Sequence, residues 1–108
     1  MRDSVKGGAL TEVTLLILLS LYTPNHGYGI MKFIEEKTAG RLCLGAGSLY
    51  GALNTLCGKK WITPYGSGGR KKEYIITALG KGAVQNEIKR MREVLSIADE
   101  ITGGNCHE

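Results

Sequence analysis

The stretch that decides the fold is Trp61-Ile62-Thr63-Pro64-Tyr65-Gly66-Ser67-Gly68-Gly69-Arg70-Lys71-Lys72-Glu73-Tyr74-Ile75-Ile76-Thr77. Two runs of β-branched and aromatic residues, 61–65 and 73–77, flank a glycine-rich loop that ends in three consecutive cations. Such side chains suit a pleated, half-buried surface, so each run predicts a strand and the pair a β-hairpin with a mobile basic tip. Pro64 cannot donate to a ladder, which makes the first run an edge strand.

Working back from the hairpin, Leu49, Leu53 and Leu56 with Ala52 form the buried face of a helix that starts near Ala46–Ser48 and stops at Gly58. Its opposite face carries Ser48, Tyr50, Gly51, Asn54 and Thr55, which is polar, uncharged and small apart from one ring. Ile30, Phe33, Ile34 and Lys37 predict a helix from about Tyr28 to Thr38, ended by Ala39-Gly40, with Arg41–Leu44 as a short extended piece. Residues 10–22 hold Leu10, Val13, Leu15, Leu16, Ile17, Leu18, Leu19 and Leu21, a helix apolar round most of its circumference. So small a domain covers only part of it, and a partner subunit is the natural cover for the rest. Pro24-Asn25-His26-Gly27 is a helix break.

Beyond the hairpin, Thr77 is placed to N-cap a long helix reaching about Ile101, whose first turn Gly80 and Gly82 weaken. Val84, Ile88, Met91, Leu95 and Ala98 follow at steps of 4, 3, 4 and 3, the spacing of a coiled-coil seam. Gly103-Gly104 stops the helix. The expected division is a head over 1–79, a dimerisation helix over 80–104 and a frayed tail over 105–108.

The 108 residues carry a formal net charge of +4, and this mild figure hides an asymmetry. Residues 37–72 contain Lys37, Arg41, Lys59, Lys60, Arg70, Lys71 and Lys72 and no carboxylate, whereas both ends are slightly acidic. A basic segment of this kind is a plausible polyanion footprint, although solvated basic faces are common. The longest apolar run is far shorter than the roughly 18 residues of a membrane span, and no small-residue cleavage site follows it, so neither a membrane segment nor a signal peptide is expected. Cys43, Cys57 and Cys106 form no C-x-x-C pair, as expected of thiols in a reducing cytoplasm. His26 and His107 have no partner pattern for a metal or a triad, and Cys106-His107-Glu108 is a weak cluster at a chain end. No enzyme, metal or cofactor is expected.

Helix, helix, helix, strand, basic loop, strand, long helix is the layout of a winged helix-turn-helix: mainly α, with a small hairpin. A recognition helix needs one apolar face for the core and one face of small polar groups for the groove floor, free of carboxylates that phosphate would repel. The helix at 46–58 has that division. A wing needs flexible backbone and cations, which Gly66–Lys72 supplies. Each piece has a plainer alternative: a half-buried structural Tyr50, a solvated helix surface at Asn54 and Thr55, an ordinary charged turn at 70–72.

The chain resembles the PadR family of transcriptional regulators over about residues 5–102. The carriers are His26-Gly27-Tyr28-Gly29-Ile30, Gly47-Ser48-Leu49-Tyr50-Gly51-Ala52-Leu53, Lys60-Trp61-Ile62, and Gly69-Arg70-Lys71-Lys72-Glu73-Tyr74-Ile75-Ile76-Thr77 with Gly80. A single short C-terminal helix is similar to the small LmrR-like subfamily. The resemblance implies a homodimer joined through its first and last helices, repressing nearby genes by binding operator DNA, and often released by a small aromatic or hydrophobic effector. Two departures stand out. Gly45-Ala46 replaces the family's usual Ser-Pro before the recognition helix, removing a side-chain cap. The last helix has no Trp to stack on planar drugs; Trp61 lies at the wing base, where core packing is expected.

On the family positions, Ser48, Tyr50, Gly51, Asn54 and Thr55 are expected at double-stranded DNA, with Lys59 and Lys60 on its backbone and Arg70, Lys71 and Lys72 on phosphate or in the minor groove. Tyr28 is expected to be structural. Leu10, Val13, Leu16, Ile17, Val84, Ile88, Met91, Leu95 and Ala98 are expected to join the two copies. Two alternatives stay open: a constitutive repressor without a ligand, and a winged helix that binds protein instead of DNA.

Overall fold

The computed structural model describes residues 9–66 and 72–103. The elements in chain order are α1 (Glu12–Ser20), β1 (Asn25–His26), α2 (Gly27–Lys37), α3 (Ala46–Gly58), β2 (Ile62–Tyr65), β3 (Glu73–Ile76) and α4 (Ala78–Thr102).

Local chemistry starts and stops these helices. The Thr11 hydroxyl caps α1 by accepting from the Thr14 N–H at 3.1 Å. His26 caps α2, its Nδ1 accepting from the Gly29 N–H at 3.3 Å. Thr77 caps α4 by accepting from the Gly80 N–H at 3.1 Å. Gly45 precedes α3 with no side-chain cap, as its composition predicts. Gly103 ends α4 in the left-handed conformation at φ +77°, which suits a residue without Cβ.

The sheet has the order β1-β3-β2, all antiparallel. β2 is an edge strand, as Pro64 requires, and Pro64 lies opposite Tyr74. One expectation needs correction. Asn25-His26 does more than break a helix: it is a third strand, pairing Asn25 with Tyr74 and His26 with Glu73. Two residues carry no period of their own, and only the arrival of β3 beside them makes the strand.

Ile17, Leu18, Leu21, Ile30, Ile34, Leu49, Leu53 and Val84 form the fully buried centre, bringing α1, α2, α3 and α4 together. The hairpin is stitched to this centre through backbone, the Ile76 N–H donating to the Leu21 carbonyl at 2.9 Å, and is closed at its base by the Thr77 N–H, which donates to the Trp61 carbonyl at 2.9 Å. Gly80 has a packing reason. A Cβ there would lie 2.2 Å from the Trp61 carbonyl oxygen, so the first turn of α4 sits directly on the α3–β2 connection.

The core also corrects the expected interface between copies. Ile17 and Val84 are enclosed by their own chain and present no surface to another. Leu10, Val13, Leu16 and Ile88 are half-buried at the edge of the core. From Met91 onward α4 leaves the head, and Met91, Val94, Leu95, Ile97, Ala98 and Ile101 are exposed.

Candidate nucleic-acid interface

The helical period of α3 places Leu49, Leu53 and Leu56 in the core and turns Ser48, Tyr50, Gly51, Asn54 and Thr55 outward, all five exposed. α3 contains no charged residue, so nothing on it opposes an approaching phosphate. The Thr55 hydroxyl donates back to the Gly51 carbonyl at 3.2 Å, which partly occupies it. Tyr50 is 48% exposed and its phenol lies over Gly27, the first residue of α2. The ring is therefore braced at one side and solvent-facing at the other.

Lys59 and Lys60 follow α3 and are exposed. The Lys59 ammonium stands over the Trp61 ring, 4.7 Å from its centroid. Trp61 itself packs against the core at the wing base, as expected. Lys60 holds φ +65°, an uncommon conformation for a residue with a side chain, and its carbonyl accepts from the Thr77 hydroxyl at 2.8 Å. Lys72 is exposed beside Tyr74, its Nζ 6.0 Å from the ring centroid. Burial raises the Tyr74 phenol pKa above its ordinary value. Arg70 and Lys71, with Cys106 and His107, lie outside the described residues.

Two placements differ from expectation. Tyr28, expected to be structural, is 66% exposed on the first turn of α2. The helical period already carried this: Gly27, Ile30 and Ile34 define the buried face, and position 28 falls off it. Arg41 is not a free member of the basic segment. Its guanidinium pairs with both oxygens of Glu12 at the start of α1, and that hydrogen bond first of all holds the Glu12 carboxyl below its ordinary pKa. The segment free of acid in sequence is thus not wholly free of it in space. Among the described residues no three His, Cys, Asp or Glu side chains gather as a metal site would need.

A helical head with a small antiparallel sheet, and a polar uncharged helix face beside a cationic hairpin, defines a winged helix-turn-helix protein. The chain belongs to the Transcriptional regulator PadR-like family, which matches residues 15–86. It is accordingly a DNA-binding transcriptional regulator and not an enzyme. It resembles the crystal structure of a PadR family transcription regulator from Clostridium difficile with a TM-score of 0.71 and 26% identity, over 85% of this chain and 99% of that one. A transcriptional regulator from Clostridium thermocellum has the same fold, with a TM-score of 0.70 and 24% identity over 82% of this chain and 86% of that one. A 37.1 kDa protein in a Streptomyces fradiae transposon is 36% identical over 81 residues, 74% of this chain; the match spans only 23% of that relative's length.

Proposed function

We propose that this chain is a homodimeric repressor that binds operator DNA, with α3 in the major groove and the hairpin tip on the flanking backbone. The observation that carries the reading is the division of α3 into a leucine face inside the core and an exposed, acid-free face of Ser48, Tyr50, Gly51, Asn54 and Thr55. Small polar side chains can reach base edges there, and Asn54 suits the N6/N7 edge of adenine.

Dimerisation rests on α4. Ile88, Met91, Val94, Leu95 and Ala98 line an open, largely apolar groove along a helix that, from Met91 to Thr102, no other described part of the chain buries. An apolar stripe at seam spacing is stabilised by a second copy of itself, with Leu10, Val13 and Leu16 at its margin. No helix among the described residues is long and apolar enough to cross a membrane, and the cytoplasm is the proposed place of action.

A second reading adds release by a small hydrophobic or aromatic effector seated in that groove. Its apolar lining favours this, while α4 offers no Trp to stack on a planar ligand. A constitutive repressor and a protein-binding winged helix are the rivals.

The test is a gel shift at increasing salt on the DNA upstream of the chain's own gene, with sedimentation of the wild type and Leu95→Lys. Steeply salt-dependent binding by a dimer, lost together with the dimer in Leu95→Lys, is the expected result. No shift at low salt favours the protein-binding rival. Titration of aromatic dyes with DNA release as the readout separates the effector reading from the constitutive one.

A further inference from the structure

Among the described residues Glu87 is the only buried carboxylate, 3% exposed. Its Oε1 accepts from the Leu10 N–H at 3.3 Å and from Arg90 Nε at 2.9 Å, and its Oε2 accepts from Arg90 Nη2 at 2.5 Å. Arg90 lies one turn further along the same helix, so that pair joins nothing to α4 that α4 does not already hold. The bond that crosses between elements is the one from Leu10, just before the cap of α1.

A buried ion pair is weak evidence for stability, because apolar side chains of similar volume often do as well; what such a group can supply is one preferred arrangement. Its position makes that arrangement matter. Glu87 is the last buried residue of α4, and every residue from Met91 to Thr102 is exposed. It therefore stands where the helix leaves the head. The remaining helix to Thr102 is a lever of about 22 Å at the usual rise per residue. A tilt of roughly 10° at Glu87 moves its far end by about 4 Å, close to the ~3.4 Å that separates successive base pairs.

We propose that Glu87 is a positioning residue. By holding the Leu10 N–H it fixes the angle between head and α4, and through it the separation of the two α3 helices and the half-site spacing that the dimer accepts. This rests on the dimeric, DNA-binding reading above.

The experiment uses an operator selected from random DNA with the wild type. A panel of duplexes then varies the spacer between half-sites one base pair at a time, and wild type, Glu87→Gln and Glu87→Met are compared on it. Sedimentation and thermal unfolding of each protein run alongside. Methionine fills the site without an acceptor; glutamine keeps an acceptor for Leu10. The wild type should show one sharp optimum and Glu87→Gln should retain it. Glu87→Met should lose about five-fold or more in discrimination between the optimum and a spacer one base pair off. A Glu87→Met dimer with the wild-type spacing profile, whatever its melting temperature, overturns the positioning role. So does a Glu87→Gln profile as flat as that of Glu87→Met. A wild type that is monomeric, or indifferent to spacing, overturns the dimeric reading and this one with it, which the sedimentation arm distinguishes from the loss of positioning alone.

Discussion

The phenol of Tyr50 rests on the backbone of Gly27: a Cβ at Gly27 would lie 2.2 Å from its Oη and 2.9 Å from its Cζ. The start of α2 thus serves as the seat for the one aromatic ring on the outer face of α3. Gly27→Ala should dislodge that ring at a cost of about 1–2 kcal/mol in stability. Operator affinity should fall about ten-fold, the equivalent of ~1.4 kcal/mol. In a Tyr50→Ala background the same substitution should be nearly silent on DNA binding, since its target is gone. Additive losses in that double-mutant cycle would show that the ring does not depend on this seat. Tyr50→Ala alone should cost roughly 1–3 kcal/mol on the operator and less on random DNA if the ring reads a base edge.

Lys72 stands exposed where the loop of the hairpin enters β3, and Arg70 belongs to the same cationic run. Replacing both by Ala should weaken binding to every DNA sequence alike. The slope of log affinity against log salt should shrink by about 1 for each phosphate that a subunit no longer neutralises. Fluorescence anisotropy over a salt series measures this; an unchanged slope means that the hairpin does not touch the backbone.

Gly80 and Gly82 have the same composition and opposite surroundings. A Cβ at Gly80 meets the Trp61 carbonyl oxygen at 2.2 Å, whereas one at Gly82 meets nothing within 4 Å. The Trp61 carbonyl belongs to the backbone and cannot swing aside. Gly80→Ala should destabilise by about 2–3 kcal/mol. Gly82→Ala should stabilise by about 0.5–1 kcal/mol through helix propensity. Urea denaturation of the two variants decides it, and equal effects would contradict the packing of α4 on the α3–β2 connection.

Glu87 has its pKa held below the ordinary carboxylate value, first by the hydrogen bond from Arg90 and further by the Leu10 N–H, against the opposing effect of burial. A carboxylate that binds its proton less readily when folded stabilises the fold above its unfolded pKa, and that contribution is lost as pH falls through the lowered folded value. The stability gap between wild type and Glu87→Gln should therefore be widest near neutral pH and narrow as pH falls through and below the ordinary carboxylate range. Glu12, exposed and paired with Arg41, has its pKa moved in the same direction, so the comparison must be made with Glu12 intact in both proteins. A gap independent of pH would show that the Glu87 charge contributes nothing.

Much of the head was legible without coordinates because its information is periodic. The leucine spacing of α3, the strand pair flanking glycine, the edge position of Pro64 and the Thr77 cap each depend on residues within a turn or a strand of one another. The same periodicity would have exposed Tyr28, whose neighbours Gly27, Ile30 and Ile34 mark the buried face.

What the sequence by itself determined is therefore the set of elements, their order and the outward residues of α3. Tertiary structure alone decided the rest. Asn25-His26 is a strand only because β3 lies beside it. Ile17 and Val84 are core, not interface, because four helices close around them. Arg41 loses its free charge to Glu12, and Glu87 is buried against the Leu10 N–H. Each of these pairs residues far apart in the chain, and no local period specifies which distant partner a side chain will meet.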